Sequence, residues 1–74
     1  MPELPRISGN EAIRAFERLG FRQVRRKGSH VVLRKDAKGC VVPLHSSLAA
    51  GTLRSAIRQA GISVEEFVEA HRNG

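Results

Sequence analysis

The spacing of apolar residues near the start of the chain predicts an amphipathic helix. Four apolar residues recur at the three- and four-residue intervals of one helix face: Ala12, Ile13, Phe16 and Leu19. The preceding Ser8-Gly9-Asn10-Glu11 has the form of a capping box, in which a serine hydroxyl and a glutamate carboxylate accept hydrogen bonds from free backbone amides. Gly20 provides the left-handed residue that commonly ends a helix. We predict a helix over about residues 9 to 19, with its apolar stripe in the core.

A later stretch shows the two-residue alternation that is typical of a β-strand. Between His30 and Lys35, Val31 and Leu33 fall on one face, whereas Val32 joins the polar side chains on the other. The apolar pair should face the helices. His30 and Arg34 are therefore expected to share the uncovered face of the sheet.

The run before this strand is also strand-like. Regular alternation divides it into two faces, one with Phe21, Gln23 and Arg25 and the other with Arg22, Val24 and Arg26. The apolar Phe21 and Val24 then point in opposite directions. One of these two residues is expected to lie outside the regular strand.

Two short connections join these runs to a third strand. Lys27-Gly28-Ser29 separates the first two strands, and Asp36-Ala37-Lys38-Gly39 leads into the third. This third strand is expected to contain Cys40 to Val42 and to end at Pro43. Connections this short predict a three-stranded antiparallel meander.

The last part of the chain predicts two more helices. The apolar residues of the first are Leu53, Ala56, Ile57 and Ala60. Gly61 should end this helix, and its start is open between a cap at Thr52 and a position near Leu48. Ser63-Val64-Glu65-Glu66 is a second capping box, which opens a short helix. We predict one α+β domain over residues 1–74, of order α-β-β-β-α-α, with helices on one face of a three-stranded antiparallel sheet.

Positive charge is concentrated on the predicted sheet. The net charge of +6 is carried entirely by the segment from Arg22 to Lys38, in which seven basic residues stand against the single acid Asp36. Arginine and lysine clustered in this way favour contact with phosphate groups, and therefore with a nucleic acid.

His30 brings a group that moves protons near neutral pH to the end of this basic run. A histidine beside a phosphate-binding surface suggests a ribonuclease that needs no metal, in which the imidazole takes the proton from a ribose 2′-hydroxyl. The residues predicted to bind RNA are Arg25, Arg26, Lys27, Gly28, Ser29 and Arg34. His45 is the candidate for a second proton carrier, although a histidine that bonds a loop carbonyl or caps the next helix is the more common case. The alternative for His30 is a residue that only closes the turn.

Five short motifs, in order along the chain, resemble those of one protein family. They are Ile7-Ser8-Gly9, Leu19-Gly20-Phe21, Gly28-Ser29-His30, Val42-Pro43-Leu44-His45 and Gly51-Thr52-Leu53. Over about residues 5 to 68 the chain resembles the HicA toxins of bacterial and archaeal toxin–antitoxin systems. The resemblance implies a fold like that of double-stranded RNA-binding domains, cleavage of mRNA, and inhibition by a HicB antitoxin. It also implies that His30, in the Gly-Ser-His motif, is the catalytic histidine.

Two other functions fit the same composition. One is an RNA-binding module of similar topology without catalysis, and the other is an adaptor whose basic face binds an acidic protein. An RNA-binding module has no need of a histidine on its open face, which favours the enzyme.

The histidines, the single cysteine and the lack of a long apolar run indicate whether the protein needs a cofactor and where it acts. The histidines lack the paired spacing of a zinc site, so we expect neither a metal nor another cofactor. Cys40 stands alone and is predicted to be a packing residue. With one cysteine and no apolar run near the roughly 20 residues of a membrane span, the chain is expected to be a soluble cytoplasmic protein that contacts no membrane.

Overall fold

A computed structural model of the chain describes residues 3–74. Its helices and strands are α1 (Gly9–Arg18), β1 (Arg22–Lys27), β2 (His30–Lys35), β3 (Lys38–Pro43), α2 (Ala50–Ala60) and α3 (Val64–Arg72). The strands form one antiparallel sheet in the order β1-β2-β3. The predicted α+β fold and its order of elements are confirmed. Within residues 3–74, no helix combines the length and the apolar character that crossing a membrane requires.

Both predicted capping boxes are formed. The Ser8 hydroxyl accepts a hydrogen bond from the Glu11 N–H at 3.1 Å, and the Glu11 carboxylate accepts one from the Ser8 N–H at 3.0 Å. Ser63 and Glu66 repeat this arrangement at the start of α3, at 3.0 and 2.9 Å. These hydrogen bonds lower the pKa of both glutamate carboxyl groups. The bond from the serine N–H has the larger effect, and the bond with the serine hydroxyl has the next largest.

Helix α2 begins differently from the other two helices. Its N-cap is Ala49, which offers no side chain to the free amides. Thr52 lies inside the first turn, so the predicted cap at this residue is wrong. The observed start at Ala50 is nearer to the alternative beginning at Leu48. Gly61 ends the helix in the left-handed conformation, with φ of 72°, as predicted.

Two-residue turns connect the three strands. Gly28-Ser29 joins β1 to β2, and Asp36-Ala37 joins β2 to β3. Asp36, at the first turn position, has a φ of 55°, a left-handed conformation that aspartate tolerates better than most residues do. Both connections are shorter than predicted, because Lys27 already pairs with His30 and Lys38 already pairs with Lys35.

A bulge interrupts the alternation of β1. Gln23 is opposite Leu33 and Arg25 is opposite Val32, which leaves Val24 as the extra residue between two consecutive pairs. Val24 is 49% exposed, whereas Phe21 is buried just before the strand. The expectation that one of these two residues lies outside the regular strand is confirmed. The bulge also moves every later residue of β1 to the face opposite the one that regular alternation would give.

The buried apolar side chains form one cluster between the sheet and the helices. From the sheet, the contributing residues are Val31, Leu33, Cys40 and Val42, all on one face. From the helices, the Phe16 ring lies 5.6 Å from the Phe21 ring and 5.1 Å from the Phe67 ring, measured between centroids. Helices α1 and α3 pack on each other, and α2 packs along β3. The other face of the sheet stays open to solvent.

The two edges of the sheet differ in how they are protected. Helix α2 runs beside β3, and the Gln59 side-chain oxygen accepts a hydrogen bond from the outward-facing Val41 N–H at 3.1 Å. At the opposite edge, all six residues of β1 are exposed. Helix α2 therefore closes one edge, while β1 forms the other edge of the described sheet.

Candidate active site

His30 stands at the open end of the sheet, as the first residue of β2. It follows the Gly28-Ser29 turn and lies between Lys27 of β1 and Pro43 of β3 in the register of the sheet. Gly28 adopts a φ of 59°, in the left-handed region that glycine occupies without strain. The His30 side chain is exposed. An exposed imidazole at the end of a strand is accessible to a substrate.

A cleft of about 400 Å³ separates the open face of the sheet from α2, and His30 lies on its wall. Side chains from three elements line it, among them His30, Val41, Pro43, Thr52, Ser55 and Gln59. A second cleft of about 390 Å³ continues along the sheet and contains Arg34, sharing Val41 and Gln59 with the first. We call the two together the β3–α2 groove. It extends from His30 at one end to Arg34 at the other.

The register of β1 divides the basic residues between the two faces of the sheet. Residues directly opposite each other in an antiparallel pair point to the same face. Lys27 lies opposite His30 and Arg25 opposite Val32, so both share the open face with Arg34. Arg26 lies opposite the buried Val31, and its Nε donates to the Gly28 carbonyl oxygen at 3.2 Å.

Of the residues predicted to bind RNA, the sheet thus gathers three charged side chains on the face of His30: Arg25, Lys27 and Arg34. Arg26 lies on the opposite face. Gly28 and Ser29 form the turn, where the Ser29 carbonyl oxygen accepts a hydrogen bond from the Leu44 N–H at 2.6 Å. This bond ties the turn before His30 to the residue that follows β3.

His45 lies in the segment that follows β3, and its side chain is exposed. Its carbonyl oxygen accepts a hydrogen bond from the Gly9 N–H at 2.9 Å, which joins this segment to the start of α1. Among the described residues, His45 is not one of those that line the cleft at His30. The role of its imidazole as a second proton carrier stays a prediction.

Sequence reasoning missed the contribution of α2 to this site. Thr52, Ser55 and Gln59 fall at three- and four-residue intervals, so they line one side of the helix and face the groove. The apolar stripe of α2 that faces the core shows the same intervals. A second, polar stripe of small and amide side chains was the available signal.

Cys40 is buried, and its burial raises the pKa of the thiol to about 12. A thiol that stays protonated is a poor nucleophile, which agrees with the predicted packing role. Within the part of the chain that the structure describes, no three histidine, cysteine, aspartate or glutamate side chains are grouped to hold a metal ion.

Comparison with known families decides where this fold and site belong. The family model described as the HicA toxin of bacterial toxin–antitoxin systems matches residues 9–62. The chain belongs to the HicA toxin family. The match contains α1, the whole sheet and α2, and therefore His30 and the β3–α2 groove. A comparison with curated proteins returns no match. As a HicA toxin, the chain is the toxin of a toxin–antitoxin pair and has an antitoxin partner.

Gly9, the first residue of the HicA match, shows why α1 starts with glycine. A Cβ atom at this position would collide with the Pro43 carbonyl oxygen and approach the Leu44 Cα to 2.9 Å. The absence of a side chain lets α1 pack closely against the end of β3. In this HicA toxin, α1 therefore contacts the end of β3 at Pro43, the residue opposite His30 in the sheet.

Proposed function

We propose that this HicA toxin is an endoribonuclease that cleaves mRNA in the cytoplasm without a metal or another cofactor. The observation that supports the proposal is the position of His30, exposed on the wall of a groove and flanked on the same face by Arg25, Lys27 and Arg34. Imidazole supplies proton transfer, and the cations supply attraction for a polyanion.

The proposed reaction uses the ribose of the RNA as its nucleophile. His30 takes the proton from a 2′-hydroxyl, and the 2′-oxygen attacks the adjacent phosphorus. The bond between phosphorus and the 5′-oxygen breaks, and that oxygen leaves with a proton. The products are a 2′,3′-cyclic phosphate and a free 5′-hydroxyl. General base catalysis of this kind accelerates a reaction by roughly 10²- to 10⁴-fold.

Other residues are candidates for binding the phosphate groups and for donating a proton to the leaving oxygen. Arg25, Lys27 and Arg34 bind phosphates along the open face. Lys27, opposite His30 in the sheet, stabilises the charge that develops on the phosphoryl oxygens of the reacting phosphate. His45 is the candidate donor of a proton to the leaving 5′-oxygen. Because His45 is outside the lining of the cleft, a water molecule is the alternative donor.

A 2′-deoxy substitution in the substrate tests the proposed chemistry. We expect the toxin to cleave a short RNA in the presence of EDTA and to leave intact the same RNA carrying one 2′-deoxynucleotide before the scissile phosphate. The reason is that the deoxy residue has no oxygen to attack with. Gel separation of the products, with mass spectrometry of their ends, measures the result.

Two outcomes would contradict the proposed reaction. Cleavage of the 2′-deoxy substrate at the same bond would require another nucleophile, and loss of cleavage in EDTA would require a metal. An RNA that is bound but never cut would favour the alternative function, an RNA-binding module without catalysis.

The salt dependence of RNA binding tests which basic residues contact phosphate. Each lost contact should lower the slope of log Kd against log salt concentration by about 0.7 for a single strand. We expect this change in an Arg34→Ala variant and a smaller change in an Arg26→Ala variant, since Arg26 faces away from the groove. Fluorescence titrations of a 2′-deoxy-substituted oligonucleotide at several salt concentrations measure both slopes. Equal slopes in the wild type and the Arg34→Ala variant would move the RNA away from this face.

We propose further that the antitoxin is a HicB-like protein that covers the open face. The basic side chains around His30 form the surface to which an acidic inhibitor is steered, and an inhibitor seated there excludes phosphate. We expect modification of His30 by diethylpyrocarbonate to fall sharply in the complex, whereas His71 on α3 serves as the internal reference. Peptide mass spectrometry quantifies both residues. Equal modification of His30 in the free and the inhibited toxin would contradict masking.

A further inference from the structure

A chain of hydrogen bonds leads from β3 into the cleft at His30. The Val41 N–H donates to Gln59 Oε1 at 3.1 Å, and Gln59 Nε2 donates to Ser55 Oγ at 3.5 Å, a long contact. Ser55 and Gln59 are one helical turn apart on α2, and both line the cleft. The two bonds connect the edge strand of the sheet to a hydroxyl group in the cleft that His30 also lines.

The direction of these bonds is fixed by the backbone. A peptide N–H only donates, so the side chain of Gln59 must turn its oxygen toward Val41. Its amide nitrogen, which only donates, is then directed at Ser55. The Ser55 oxygen therefore acts as an acceptor toward Gln59 and keeps its own proton for another partner. Within residues 3–74, the Ser55 hydroxyl donates to no hydrogen-bond acceptor.

Among the described residues, no arginine or lysine lines the cleft at His30, so a hydrogen-bond donor there would have to be uncharged. Arg34 is four residues from His30 along β2, which corresponds to about 13 Å between the two Cα atoms. Lys27 lies next to His30 on the β1 side of the sheet. On the α2 side, the polar groups near His30 are the uncharged side chains of Thr52, Ser55 and Gln59.

We propose that Ser55 is a catalytic residue that donates a hydrogen bond to a phosphoryl oxygen of the RNA at His30, and that Gln59 is the positioning residue that directs it. This inference rests on the proposed ribonuclease function and adds a residue to its site. The donor stabilises the negative charge that develops on the phosphate as the 2′-oxygen attacks. The orientation is set before the substrate arrives, because the Val41 amide already holds Gln59.

Single and double variants of the full-length toxin test the two roles. In Ser55→Ala the donor is absent, and we expect kcat to fall roughly 100-fold with little change in KM, as when a donor to a developing oxyanion is removed. In Ser55→Thr the hydroxyl is retained, and most of the activity should return. Ser47→Ala, which removes an exposed hydroxyl before α2, is the matched control.

The Gln59→Glu variant reverses the chain of bonds without removing it. One carboxylate oxygen still accepts from the Val41 N–H, and the other accepts from Ser55, whose proton is then turned away from the cleft. We expect kcat to fall nearly as far as in Ser55→Ala. In a Ser55→Ala background, Gln59→Glu should add less than about threefold, because the two substitutions remove one interaction. Gln23→Glu, on β1, controls for the added negative charge.

The comparison with His30→Ala separates the two proposals. If His30→Ala abolishes cleavage while Ser55→Ala cuts RNA at the wild-type rate, the ribonuclease function stands and the role of Ser55 is wrong. If the effects of Ser55→Ala and Gln59→Glu multiply, Gln59 does not act through Ser55. Cleavage by His30→Ala at the wild-type rate would overturn the function itself. Circular dichroism verifies the fold of every variant.

Discussion

RNA cleavage by a His30→Ala toxin should be almost abolished, although the variant folds and keeps most of its affinity for RNA. His30 lies on the exposed face of β2, outside the apolar cluster, so its removal costs no core packing. The cations on the same face remain to hold the phosphates. We expect kcat to fall by about 10²- to 10⁴-fold, the range that general acid–base catalysis supplies. Single-turnover cleavage of a labelled oligonucleotide gives the rate, and a binding titration gives the affinity.

The matched control for this experiment is His71→Ala. His71 lies on α3, away from the groove, and its replacement should leave the cleavage rate near that of the wild type. Wild-type activity in the His30→Ala variant would remove His30 from the mechanism. Loss of both RNA binding and cleavage would instead indicate that His30 serves mainly to bind RNA.

Leu33→Asp should unfold the toxin altogether. Leu33 is fully buried in the apolar cluster, on the strand next to β3. An aspartate there is a buried charge without a partner, which costs about 3–5 kcal/mol. The lost packing of leucine costs about 2–5 kcal/mol more. Natural domains have a total stability of about 5–15 kcal/mol, and a short chain lies near the lower end. Far-ultraviolet circular dichroism and urea unfolding measure the result.

The same charge on the outside of the sheet should be harmless to the fold. Val24 is 49% exposed at the bulge of β1, so Val24→Asp keeps the carboxylate in water. The two variants have the same net charge. A folded Leu33→Asp protein with a cooperative transition like that of Val24→Asp would contradict the assignment of Leu33 to the core.

The sequence predicted best those elements whose signal is local. Both capping boxes, the stop at Gly61 and the antiparallel meander follow from residues that are neighbours in the chain. The bulge at Val24 could not be predicted from the sequence, because it depends on which residues of β2 are opposite those of β1. Only the conflict between Phe21 and Val24 indicated that the alternation must break.

The candidate site was predictable on one side only. His30 and Arg34 share the open face because they are on the same strand, where the two-residue period decides the face. The wall formed by α2 required the packing of that helix along β3, a contact between residues far apart in sequence. For that reason the sequence does not single out Ser55 and Gln59, and it leaves Thr52 as one of two possible starts of α2.

The exposed edge at β1 limits which of its basic residues can be substituted without causing self-association. A free strand edge can pair with the edge of another molecule, and positive side chains along it are a common defence against such aggregation. Four of the six residues of β1 are arginine or lysine, namely Arg22, Arg25, Arg26 and Lys27. These charges make two copies of the edge repel each other in the absence of a polyanion. Substitutions that neutralise them to weaken toxicity would therefore also make the protein prone to self-association.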